Sequence, residues 1–149
     1  MEDNEKNRRH HLSQIQLTII RMAANSFLIK GWSVTLVAAL FALASVDTRQ
    51  EFAWLALLPA VTFWTLDGYY LRQERLFHKL WDSVRAAPLG KLSGDTFSMN
   101  TEPFEEEVDS RFAVMRSFTL LFFHGAIFAA VVAGIIVLVL QGGTENGNP

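Results

Sequence analysis

The sequence predicts an all-α integral membrane protein, with three transmembrane helices and long cytoplasmic helical extensions packed as a small bundle. Three observations carry that prediction. Hydrophobic residues fill 50% of the 149 positions, yet they gather into long uncharged runs that lack the polar face of a soluble amphipathic helix. Charged residues lie between those runs. Lys and Arg are divided very unevenly among the segments that the runs mark off.

Taken in chain order, residues 1–11 are strongly polar and read as a disordered cytoplasmic tail, in which His10 and His11 lack partners for a metal. A secretory signal would place its apolar core close behind a short basic region; here residues 12–22 intervene, so the first apolar run is expected to stay in the mature chain. Residues 12–30 read as a cytoplasmic or interfacial helix. Within it Leu12, Ile15, Ile19, Met22, Ser26 and Ile29 recur at spacings of three and four, a coiled-coil-like seam. The seam leads into the first span, 27–46, which needs Lys30 to extend its ammonium toward the headgroups.

The second span is 52–71. It carries one acidic residue, Asp67, near its end, a proline at 59, and Trp54, Trp64, Tyr69 and Tyr70 toward its two ends, as an aromatic belt would. Residues 72–86 continue as an amphipathic cytoplasmic helix with Leu76, Phe77, Leu80, Trp81 and Val84 on one face. Residues 87–103 contain two prolines and two glycines and read as a loop. A further cytoplasmic helix, 104–116, opens with Glu105 to Glu107 where acids favour the helix dipole. The third span, 117–140, holds no Asp, Glu, Lys or Arg; a helix of that length rises about 36 Å against a hydrocarbon core of about 30 Å. Residues 141–149 form a short external tail.

Orientation follows from charge. Of the 13 Lys and Arg residues, twelve fall before residue 31 or within 72–116, and none falls in 141–149. Three spans place the two basic regions on one side, which the positive-inside rule assigns to the cytoplasm. The expectation is therefore a multi-pass protein of a bacterial inner (plasma) membrane, N-terminus cytoplasmic and C-terminus external. The net charge of -2 gives no electrostatic case for direct nucleic-acid binding. With no cysteine there is no thiol nucleophile, disulfide or zinc–thiolate site. No cofactor is expected.

Candidate functional residues fall into three groups. Arg21, Asn25, Lys30, Asp67 and His124 are polar residues in or beside the spans, where ionisable groups are costly and often functional. For Asp67 the competing reading is an ion pair with Arg72 or an interfacial anchor; for His124 it is a hydrogen-bonded packing residue rather than a pore-lining or proton-sensing one. Gly125, Ala126, Ala129, Ala130, Ala133 and Gly134 form small-residue ridges suited to close helix packing and to a homo-oligomer. Arg72, Arg75, His78, Lys79, Trp81 and Arg85 offer a surface for a cytoplasmic protein partner. Arg72 and His78 also fit the tolerant Arg–x5–His spacing of HEPN ribonucleases, but both fall on the solvated face of a helix, and no catalytic motif is present; an enzyme is not expected.

The segments NSFLIKGWSVTLVAALFAL (25–43) and LDGYYLRQERLFHKLWD (66–82) resemble those of small bacterial membrane proteins. Their plan is similar to membrane effectors of phage defence, including SLATT-type proteins and the membrane accessories of some CRISPR loci. The resemblance implies a protein that oligomerises and compromises the inner membrane when a cytoplasmic partner signals infection. It brings no catalytic residue with it. Two functions are thus expected: an oligomeric effector that forms or gates a pore, or a membrane-anchored accessory subunit that recruits or regulates a cytoplasmic partner.

Overall fold

A computed structural model describes residues 2–46, 50–88 and 97–145, and these are helical apart from short connections. Five α-helices follow one another: α1 (Glu2–Val46), α2 (Gln50–Leu55), α3 (Leu57–Ala86), α4 (Arg111–Met115) and α5 (Phe118–Glu145), with a 3-10 turn at Glu102–Glu107 before α4. No strand occurs among the described residues.

α1 and α3 form an antiparallel hairpin, and α5 lies along α3 and the far half of α1. The apolar seam of α1 faces inward as its spacing requires. Ile15, Ser26 and Ile29 are buried, and Leu12, Ile19 and Met22 are half-buried. Leu76 and Leu80 of α3 are buried in the same near half of the bundle, as are Val108 and Val114. The far half is a cluster of Val37, Ala44, Ala53, Ala56, Ala60, Val131 and Ile135, ringed by Leu40, Phe41, Phe52, Ile127 and Leu138. Alanine at four of those seven positions lets α1, α2 and α3 approach closely.

Several expectations change. Residues 2–11 are not a disordered tail; α1 begins at Glu2, with Glu2, Asp3 and Glu5 in its first turn, where acids oppose the positive end of the helix dipole. The second apolar run is not one helix. Pro59 has no N–H for Leu55 and its ring crowds that carbonyl; α2 therefore ends at Leu55 and α3 restarts at Leu57. The expected helix over 104–116 is a 3-10 turn followed by the five-residue α4. Ser110 caps α4, its hydroxyl accepting from the Ala113 N–H. Glu105 to Glu107 therefore do not start an α-helix. α5 runs on to Glu145, into the segment expected as tail. Of the expected loop, residues 89–96 lie outside the described residues, as do 47–49 between α1 and α2 and 146–149 of the expected tail.

Two helices are long and apolar enough to cross a membrane by length and composition. These are α1 over Glu2–Ser45, where the most apolar window has mean hydropathy 1.9, and α5 over Phe118–Leu140, where it is 2.6. Only 22% and 17% of those windows are buried within the protein, whereas the core helix of a soluble domain is mostly buried. Phe27, Trp32, Leu43, Phe122, Ile136 and Leu140 all project outward, each more than half exposed.

Candidate functional site

At the junction of the near and far halves the bundle encloses a polar cluster built from its three long helices. Lys30 comes from α1, Asp67 from α3 and His124 from α5. The Asp67 side chain is fully buried, as is that of His124, whereas the Lys30 side chain keeps 20% of its surface exposed. Lys30 Nζ lies 2.6 Å and His124 Nε2 2.8 Å from the same carboxylate oxygen, Asp67 Oδ2. Ser26, one turn before Lys30, donates its hydroxyl to Asp67 Oδ1 and accepts from Lys30 Nζ at 2.7 Å. Both oxygens of Asp67 are thereby engaged.

Donor roles follow from the carboxylate. An ionised carboxylate only accepts, so His124 Nε2 carries a hydrogen and donates. In the neutral ring Nδ1 is then a bare acceptor, and it is buried with no hydrogen-bond partner among the described residues. The ring is fixed by aromatic neighbours. Trp64 stacks on it with centroids 6.2 Å apart and planes 9° from parallel, and Phe123 meets it edge-on at 5.2 Å. Trp64 is held in turn by its indole N–H, which donates to the Met115 carbonyl at 3.0 Å. Gly68, beside Asp67, gives α4 room: a Cβ there would run into the Met115 side chain.

The structure brings Lys30, Asp67 and His124 together and leaves the other candidates apart. Arg21 is exposed and Asn25 half-buried, and neither joins the cluster. Arg72 is not the partner of Asp67. Five residues along a helix turn a side chain through about 140°, and Arg72 instead donates through Nε to the Asp109 carbonyl at 3.2 Å and lies 3.7 Å from Glu105. Nor do Arg72 and His78 converge, since His78 is exposed and its near neighbour is Glu74 at 3.9 Å. Trp64 belongs inside the bundle rather than to an outer aromatic belt.

The expected basic partner surface is largely occupied from within the chain. Arg75 pairs with Asp109 at 3.0 Å and Lys79 with Glu107 at 3.2 Å. The acids of the 3-10 turn and its C-terminal flank thus serve as counter-ions for α3. Arg85 lies over the Trp81 ring at 5.0 Å, beside a groove lined by Gln16, Ile19, Ile20 and His78.

The small-residue ridges divide. Ala126, Ala129, Ala130 and Ala133 face outward and exposed, whereas Gly134 seats the Phe41 ring where a side chain would clash.

No family model, curated protein or solved structure matches this chain.

One residue was missed by sequence reasoning for a physical reason. His11 is buried, not mobile, and its Nε2 donates to the Ser98 carbonyl at 3.1 Å. His10 and His11 pack edge-on against Phe97 at 6.0 and 5.6 Å. Burial pulls the His11 pKa below the ordinary histidine value, and the bond to Ser98 opposes that pull only in part. The aromatic at 97 that covers it lies far away in sequence, so no local signal announced the contact.

Proposed function

We propose that this chain is a three-span inner-membrane protein that assembles with copies of itself and forms or gates a pore in phage defence when its cytoplasmic helices receive a signal. The observation that carries the reading is the inversion of burial around the cluster. Apolar side chains of α1 and α5 face outward over the far half, while the charged groups Lys30, Asp67 and His124 face inward. That arrangement suits a lipid surround and opposes water. The exposed ridge Ala126, Ala129, Ala130 and Ala133 favours self-association, because small residues allow close helix contact. Since the charged side chains are used up inside one chain, a conducting path would run between subunits. Arg21 lies on the exposed side of α1, where such a path would meet it.

Induction of the protein together with its signalling partner should depolarise cells within minutes, read with a potential-sensitive dye. An unchanged potential, with the protein present in the membrane fraction, would remove the pore reading.

The groove beside Trp81 favours a second reading, a membrane-anchored accessory subunit. Leu17 and Ile20 stay more than half exposed at the near half of α1, where a soluble partner could cover them. Replacing the spans by unrelated transmembrane helices should preserve the function of such a subunit and abolish that of a pore.

A further inference from the structure

We propose that the buried cluster is a proton-operated latch between α1 and α3, in which a proton taken up at His124 Nδ1 releases Lys30 from Asp67. Two observations support it independently of any pore. Lys30 and His124 donate to one and the same oxygen, Asp67 Oδ2. The second ring nitrogen of His124 is buried without a donor, which is the one open proton-accepting position in the cluster.

With His124 neutral the cluster holds one cation and one anion, and its charge balances. A proton from water that binds Nδ1 converts the ring to imidazolium while Nε2 keeps its hydrogen and its bond to Asp67. No other bond is made or broken. The cluster then carries two cations on one carboxylate in a buried place, which low-dielectric surroundings disfavour. The charged groups facing His124 are Lys30 from α1 and Asp67 from α3. α4 contributes Met115 and no charge at this level, its Arg111 lying over the Tyr69 ring at 5.9 Å. Arg72 is turned to Asp109 and Glu105 and does not compete.

Geometry decides which cation leaves. The His124 ring is wedged between Trp64 and Phe123 and has no exposed side-chain surface. Lys30 has a flexible four-carbon stem and a partly exposed side chain. Imidazolium therefore replaces ammonium as the counter-ion of Asp67. Ser26 loses the donor at its oxygen, and at this level the polar tie between α1 and α3 is reduced to the Ser26–Asp67 bond.

Trp64 provides the readout, because an imidazolium stacked on an indole quenches its emission more strongly than a neutral ring does. The full chain is prepared in nanodiscs with Trp32, Trp54 and Trp81 replaced by Phe, so that Trp64 alone emits. Emission should fall reversibly as the sample is taken from about pH 8 to about pH 5, and His124→Gln should abolish the fall. In the otherwise cysteine-free chain, spin labels at Ser13→Cys and Ser83→Cys sit at one level of α1 and α3, as the Arg8 bond to the Ala87 carbonyl fixes. Their separation should increase with the same midpoint as the quenching. In Lys30→Met the quenching should persist while the separation stays constant. Flat Trp64 emission across the window overturns the proposal, as does quenching without a change in distance. A distance change that persists in His124→Gln overturns it as well.

Discussion

Asp67 is the residue on which the interior depends, since it is the sole acid in contact with Lys30 and His124 among the described residues. Removing one partner of a buried pair leaves the other charge without compensation, at about 3–5 kcal/mol. Asp67→Leu should therefore lower stability by about that amount, measured as unfolding in mixed micelles. Adding Lys30→Met to it should recover a large part of the loss, since no buried charge then remains. At His11 the sign of the pH effect follows from its lowered pKa. The folded state favours the neutral ring, so the stability from the Ser98 contact is complete above the ordinary histidine range. It is lost as pH falls through the lower folded value. Protection factors of amides 97–104, which correct for the intrinsic pH dependence of exchange, should fall on acidification in the natural chain. In His11→Gln those protection factors should be nearly independent of pH.

At the scale of elements, the close approach of α4 to α3 rests on Gly68. Gly68→Ala should cost about 1–3 kcal/mol by forcing Met115 aside, and Met115→Ala should restore part of it, as a thermal melt in detergent would report. Much at this scale was legible beforehand. Apolar runs and the 3–4 spacing of the α1 seam located the helices and their inward faces, because period alone fixes which residues share a face. Breaks were harder. Pro59 was tolerable in either a kinked or an interrupted helix, and only the backbone, with α2 ending at Leu55 and α3 starting at Leu57, shows the interruption. Lys30, Asp67 and His124 were each identified singly, yet Asp67 was matched with Arg72 by nearness in sequence. The better signal was the hairpin itself. Lys30 lies 16 residues before the end of α1, and Asp67 lies 17 after the start of α2. Antiparallel helices set such equidistant residues side by side. His124 had no such marker, because the long connection before α5 leaves its register free.

For the whole molecule, the outward alanine ridge is where the proposed self-assembly can be tested apart from folding. Ala126→Leu with Ala130→Leu adds bulk where both residues are exposed in the single chain. Helix content should be unchanged, while the proposed oligomer, followed by crosslinking or mass photometry, should dissociate or shrink. If the ridge plays no part in assembly, both quantities will match those of the natural chain. The contrast with Gly134 is useful: Gly134→Leu should unsettle the chain itself by displacing Phe41, and Phe41→Ala should relieve it.

α1 runs for 45 residues without a break, about 67 Å at the helical rise. Were α1 to tilt about its tie to Asp67, Lys30 would be the fulcrum of a lever. Some 28 residues, about 42 Å, lie on one arm and 16, about 24 Å, on the other. A load on the long arm would then swing the short arm the opposite way by a little over half the distance, with the force magnified in proportion. The mechanical advantage belongs to whatever grips the N-terminal end, and stiffness rather than contact would carry its effect across the protein.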